Sequence, residues 1–83
     1  MRRNEMIVLQ NGAEPLRWSV RPGGNGYRPY LGVVLAEWAQ GRHPFVVWYM
    51  SSDDSQHWVC ESGDYCYTRE EADEVYELRR SGI

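Results

Sequence analysis

Lysine is absent: all nine basic residues of this 83-residue chain are arginine. A GC-rich genome produces that bias, because arginine codons are GC-rich, so on its own it excludes nothing. The other scarcities exclude more. Two cysteines are too few for the disulfide framework of a small secreted domain, which favours a reducing, cytoplasmic setting. No apolar run approaches the ~20 residues needed to span a bilayer, and "MRRNEMIVLQNG" has no apolar stretch long enough for a secretion signal. The two histidines have no serine or cysteine partner at a recognisable catalytic spacing. The "GGNG" at 23–26 lacks both the spacing and the lysine of a phosphate-binding loop. Paired acids such as Asp53 and Asp54 sit in a polar stretch that gives no reason for a shifted pKa. The expectation is therefore no enzyme, no cofactor and no membrane span.

What is present is a folded composition. Hydrophobic residues make up 42% and aromatics 13% of the chain, with tryptophan at 18, 38, 48 and 58, well above what a disordered tail carries. Residues 1–83 read as a single domain. At this size folding buries only about 60% of the unfolded surface, so every large side chain matters. Charge is split along the chain. Residues 1–50 carry six arginines against Glu5, Glu14 and Glu37, and residues 51–83 carry three arginines against nine acids. Such a two-ended molecule can steer an encounter without naming the partner.

Local patterns give the elements. "MIVL" at 6–9 is a short strand, and Asn11-Gly12 a turn. Leu16, Trp18 and Val20 alternate with Arg17, Ser19 and Arg21, the mark of a half-buried strand that Pro22 ends; the glycine loop after it reads as flexible. "YLGVVLAEW" also fits a helical face with Gly41 as its stop. Gly32 and the Val33-Val34 pair favour a strand instead, joined to "PFVVWYM" by a turn at "AQGR". A polar loop, "SSDDSQ", then leads to "HWVCESGDYCYT", read as a closing hairpin with Ser62-Gly63 as its two-residue turn. The ten-residue spacing of Trp38, Trp48 and Trp58 fits a meander. Thr68 and Glu71 form a capping box, opening a helix over about 69–80 with Ala72, Val75 and Tyr76 on one face. The expected fold is α+β: a small twisted antiparallel sheet of four to five strands with this C-terminal helix packed on one face.

With Gln40-Gly41 as a two-residue loop, Trp48 would lie opposite Val33, Val46 opposite Leu35 and Val47 opposite Val34. The next hairpin would place Trp48 opposite Val59 and Tyr49 opposite Trp58. Both faces of "FVVWYM" are then apolar, and one helix covers only one of them. Burying each large side chain is worth ~1.5–3 kcal/mol, so the other face needs a cover. Either the N-terminal strands fold over it with Leu16, Trp18 and Val20, or another protein or a second copy of the chain does.

The expected function is accordingly a non-catalytic protein-interaction module. It would act through an aromatic sheet face holding Trp48, Tyr49 and Trp58, and through an acidic helix face of Glu70, Asp73, Glu74 and Glu77, although solvated acids on the outer face of a docked helix are the ordinary case. In size and shape such a chain resembles the short acidic accessory and inhibitor proteins of phages and mobile elements. The alternative is a domain binding single-stranded nucleic acid through Arg17, Arg21, Tyr27, Arg28 and Tyr30 around the glycine loop, opposed by the net charge of −3. A zinc-stabilised domain is a third reading, on His57, Cys60 and Cys66 with His43. It is opposed by hairpin parity, which places the two sulfurs on opposite faces.

Overall fold

The computed structural model describes residues 7–39 and 41–82; Met6 of the expected first strand and Gln40 of the expected turn lie outside them. Five strands and one helix follow in order: β1 (Val8–Leu9), β2 (Glu14–Pro22), β3 (Tyr30–Glu37), β4 (Phe45–Ser52), β5 (His57–Cys66) and α1 (Arg69–Ser81). The strands form one sheet in the order β1-β5-β4-β3-β2. The fold is small α+β, as the sequence indicates. The sheet is mixed, because β1 runs parallel to β5, pairing Val8 with His57 and Leu9 with Trp58.

This order answers how the second apolar face is covered. Strands β1 and β2 are opposite edges of the sheet, yet only residues 10–13 join them. At about 4.8 Å per strand, flat edges would stand about 19 Å apart. The sheet therefore curls until its edges approach each other, and a groove of about 390 Å³ is lined from both edges by Val8, Pro15 and Trp18. Curling closes one face on itself. Leu9, Val34, Val46, Trp48, Met50 and Trp58 form its core, with Trp18 packed against them. The N-terminal strand thus contributes Trp18 as expected, whereas Val20 is 45% exposed. Leu16 goes to the helix side, where it packs against Val33, Leu35 and Val47. The cause is a register shift between Pro15 and Arg17, which inserts one residue and breaks the alternation read from the sequence.

Two further registers differ from expectation. The β3–β4 connection spans residues 38–44, with the Trp38 N–H donating to the Pro44 carbonyl at 2.8 Å. That longer loop moves the pairing by one residue: Trp48 lies opposite Val34, Val47 opposite Leu35 and Val46 opposite Ala36. On the other side Tyr49 pairs with Glu61, Met50 with Cys60 and Ser51 with Val59. Strand β4 runs on to Ser52, and the Asp54 carboxylate closes the loop by accepting from the Gln56 and His57 N–H groups at 2.8 Å each.

The closing hairpin expected within "HWVCESGDYCYT" is absent; β5 is one continuous strand across it. Ser62 and Gly63 form a bulge opposite Trp48, between the pairs Tyr49–Glu61 and Val47–Asp64. The left-handed backbone sits on Ser62 (φ 58°) rather than on the glycine. Gly63 is needed for a different reason: a Cβ there would lie 2.7 Å from Trp48 Nε1 and 3.1 Å from Val46 Cγ1. The bulge lets the Trp48 indole lie on the β5 backbone, 5% exposed and edge-on to Trp38 at 5.5 Å.

Helix α1 seals the other face as expected. Thr68 Oγ1 accepts from the Glu71 N–H at 3.1 Å, while Glu71 Oε1 accepts from the Tyr67 N–H one residue before the cap. Ala72 and Tyr76 are buried against Val33, Leu35, Val47 and Cys66, with Val75 alongside. At 13 residues the helix is marginal in isolation, so this docking is what holds it.

Candidate functional site

The residues singled out in the sequence separate into three groups once the fold is built. Trp48 and Trp58 are 5% and 0% exposed, in the core of the curled face. They offer nothing to a partner, which corrects their assignment as contact residues; the curl, invisible in a strand-by-strand reading, is the reason. Tyr49 lies on the helix side, 39% exposed, and the Arg79 guanidinium covers its ring at 4.3 Å from the centroid. Arg79 also meets Asp64 at 2.9 Å, which ties the last turn of α1 to the sheet.

The acidic helix face is partly consumed by the fold. Arg17 projects from β2 to Asp73 at 2.9 Å and Glu77 at 2.6 Å, and its guanidinium lies 4.4 Å from the Tyr76 ring centroid. Arg69 adds a contact to Asp73 and Arg80 one to Glu77. Bonding to Arg17 holds the Asp73 carboxyl below its usual range, and bonding to Arg80 and Arg17 does the same for Glu77. The Arg17 guanidinium is raised in turn, chiefly by Asp73. Glu70 and Glu74 are exposed and make no ion pair among the described residues. Arg17 is thus withdrawn from any nucleic-acid surface, and Asp73 and Glu77 from a free acidic one.

Of the remaining basic-loop residues, Arg21 and Arg28 are exposed, Tyr27 is 88% exposed and Tyr30 is half-buried against the tryptophan core. The loop expected to be flexible is a tied turn. Gly23 and Gly24 N–H groups donate to the Pro29 carbonyl at 3.0 and 2.9 Å, and Asn25 Oδ1 accepts from the Tyr27 and Arg28 N–H groups at 2.8 and 2.7 Å.

Cys60 packs on the curled face and Cys66 on the helix face, both as free thiols. Opposite faces agree with expectation, although the cause is the Ser62-Gly63 bulge rather than a turn. Without the bulge, an even separation along one strand would have put them on the same side. Burial raises the Cys60 thiol to about 11 and also raises Cys66, aided there by Glu71 and Asp64. No group of three or more His, Cys, Asp or Glu among the described residues is arranged to hold a metal ion. His57 Nδ1 instead pairs with Asp54 Oδ2 at 2.8 Å. The Asp54 carboxyl is held well below the usual range, first by the His57 backbone N–H and then by its ring.

One cluster escaped the sequence reading. His43, just before β4, lies tilted against Tyr67 with centroids 4.2 Å apart and meets Tyr65 edge-on at 6.1 Å. Tyr65 and Tyr67 are 52% and 62% exposed. The Tyr-x-Tyr spacing at the end of a strand was the available signal, which reading 57–68 as a hairpin left unused. The cluster lies at the end of the sheet where Glu37, Phe45 and Cys66 pair in a row. Glu71 reaches back to the Tyr67 backbone, which puts one carboxylate beside the cluster, and Glu70 lies in the same first turn of α1.

No family model, curated protein or solved structure matches this chain. Among the described residues no helix is long and apolar enough to cross a membrane.

Proposed function

We propose that the chain is a non-catalytic protein-interaction module that receives an arginine- or lysine-bearing segment of another protein at the His43–Tyr65–Tyr67 cluster. The carrying observation is that His43 meets both tyrosine rings while those two rings stay more than half exposed. The same domain buries Trp48, Trp58 and Tyr76 to 5% exposure or less. Tyrosine is enriched at binding hot spots, and its ring face attracts cations. Glu71 supplies opposite charge beside it, and Glu70 and Glu74 extend the acidic character along α1. A partner bound here has its basic surface occupied, which suits an accessory or inhibitory role. Two thiols facing away from each other across the sheet are compatible with work in the cytoplasm.

The test is affinity capture from the native host with the wild-type chain and with Tyr65→Ser/Tyr67→Ser. Exposed substitutions of this kind change stability by ~0.5 kcal/mol or less, so the fold survives. A partner held by wild type and lost from the variant is expected, with each hot-spot ring worth roughly 2 kcal/mol. Recovery of the same proteins by both chains would refute the proposal. So would a sedimentation result in which the substitutions merely dissociate a homodimer, because the rings would then be covered by a second copy.

A further inference from the structure

The opposite end of the sheet carries a different chemistry. From Pro15 to Ala36 there is no aspartate or glutamate, while Arg17, Arg21 and Arg28 are all present. Between Glu14 and Glu37, at the far ends of its two strands, the β2–β3 hairpin is therefore cationic within an acidic chain. Arg17 is spent on the helix, but Arg21 and Arg28 meet no carboxylate within ion-pair distance among the described residues. Tyr27 stands between them at the tip, 88% exposed, more than any other large hydrophobic side chain described.

The tip is built rather than loose. Its four loop hydrogen bonds from Gly23, Gly24, Tyr27 and Arg28 are joined by one from the Asn25 N–H to the Arg28 carbonyl at 3.0 Å. Gly24 is enforced by closeness, since a Cβ there would lie 1.9 Å from the Arg28 carbonyl oxygen. The Arg21 guanidinium lies over the same turn, with Nε and Nη2 3.9 Å from where a Gly23 Cβ would be. Tyr27 and Arg28 are thus carried, with Arg21 beside the same turn, on a hydrogen-bonded backbone, which removes an ordering cost from binding.

We infer that this hairpin tip binds single-stranded nucleic acid, Tyr27 stacking on an unpaired base while Arg21 and Arg28 take the flanking phosphates. Flanked in sequence by guanidinium groups that claim anions, the Tyr27 ring suits a flat π face, which a splayed base offers and a paired, stacked one does not. Guanidinium groups suit phosphate because their planar fork donates two parallel hydrogen bonds. An acidic peptide would satisfy the arginines and leave the ring without a partner. The row Pro22, Tyr30, Ser52 lies at this end of the sheet and the row Glu37, Phe45, Cys66 at the other, so the tip and the tyrosine cluster are separate surfaces. Asp53 and Asp54 lie in the loop at the tip's end, and the Asp54 carboxylate is engaged by His57.

Fluorescence anisotropy with a labelled oligothymidylate and an oligouridylate of roughly 12 nucleotides tests this. Binding is expected at about 50 mM salt, weakening by about 1.4 log units per log unit of salt for two phosphate contacts. Tyr27→Ala should lower affinity about fivefold or more. Arg21→Ala/Arg28→Ala should flatten the salt dependence, and Tyr65→Ser/Tyr67→Ser should leave affinity unchanged. Melting curves close to wild type for the tip variants would show that the fold is intact. Absence of binding at low salt, indifference to Tyr27→Ala, or equally strong displacement by polyglutamate or inorganic polyphosphate would each overturn the inference.

Discussion

Gly63→Ala is the sharpest probe of how this domain closes its tryptophan face. The new methyl would sit 2.7 Å from Trp48 Nε1, 2.9 Å from Trp48 Cδ1 and 3.1 Å from Val46 Cγ1. None of these atoms moves freely. Trp48 is 5% exposed and braced by Trp38, and Val46 is fully buried. The backbone at Gly63 is not left-handed, so alanine is allowed there conformationally and the cost is steric. Overpacking of this kind costs ~1–3 kcal/mol, which for a domain of this size lowers the melting temperature by roughly 4–8 °C per kcal/mol. Urea unfolding followed by tryptophan fluorescence reads it. Gly26→Ala is the control, since a Cβ there meets nothing within 4 Å, and it should be neutral or slightly stabilising. Trp48→Leu should reduce the penalty of Gly63→Ala in a double-mutant cycle. If Gly63→Ala and Gly26→Ala unfold at the same urea concentration, the Ser62-Gly63 bulge does not seat the indole and the packing argument is wrong.

Arg17→Ala removes two carboxylate contacts and the stack on Tyr76 together. With Arg17 about a third exposed, screening limits the loss to about 1 kcal/mol; added salt should shrink it, and Arg17→Lys should restore only part, which thermal melts would show. Asp54, Asp73 and Glu77 all have depressed folded-state pKa values. Their stabilising contribution is therefore fully present above the unfolded carboxyl range and is lost as pH falls through and below about 4. Melts should be level from about pH 5 to 7 and decline below about 4, and Asp54→Asn should weaken the fold at neutral pH and soften that decline. Cys60 and Cys66 should both resist alkylation at mildly alkaline pH in the native state, react quickly in urea, and never appear as an intramolecular disulfide on non-reducing mass analysis.

What the sequence made legible is what local chemistry decides. Thr68 and Glu71 mark the helix start, and Ala72, Val75 and Tyr76 mark the face it buries, because capping and helical periodicity need no knowledge of the rest of the chain. Two apolar runs either side of Gly41 give the β3–β4 pair. Register was beyond reach, since it depends on a loop whose length shows only after Glu37 has met Phe45. Ser62-Gly63 misled for a related reason. The pair reads as a turn in isolation, whereas the space beneath Trp48 makes it a bulge in a continuous strand. No local signal points to the parallel pairing of β1 with β5, and that pairing is what accompanies the curl and carries Trp48 and Trp58 inside. The same limits reached the candidate surfaces: Trp48 and Trp58, read as exposed, are buried, and Tyr65 and Tyr67 are exposed.

Arg17 shows why composition alone does not give the free surface charge here. Its sequence neighbours placed it with Arg21 and Arg28 in a basic patch, and the acids at 73 and 77 with those at 70 and 74 in an acidic one. Folding removes one member from the first set and two from the second and spends them on each other, across a β2-to-helix contact that also stacks on Tyr76. What is left over is smaller and better sorted: a ring-and-carboxylate surface at one end of the sheet and an arginine–tyrosine tip at the other. The two ends differ in sign and share no residue, so a single substitution at either should leave the other's binding intact. Arg17→Ala bears on both only indirectly, through stability and by returning Asp73 and Glu77 to solvent. If an Arg17→Ala chain that remains folded lost oligonucleotide affinity as steeply as one lacking Arg21 and Arg28, that division of charge between fold and surface would be mistaken.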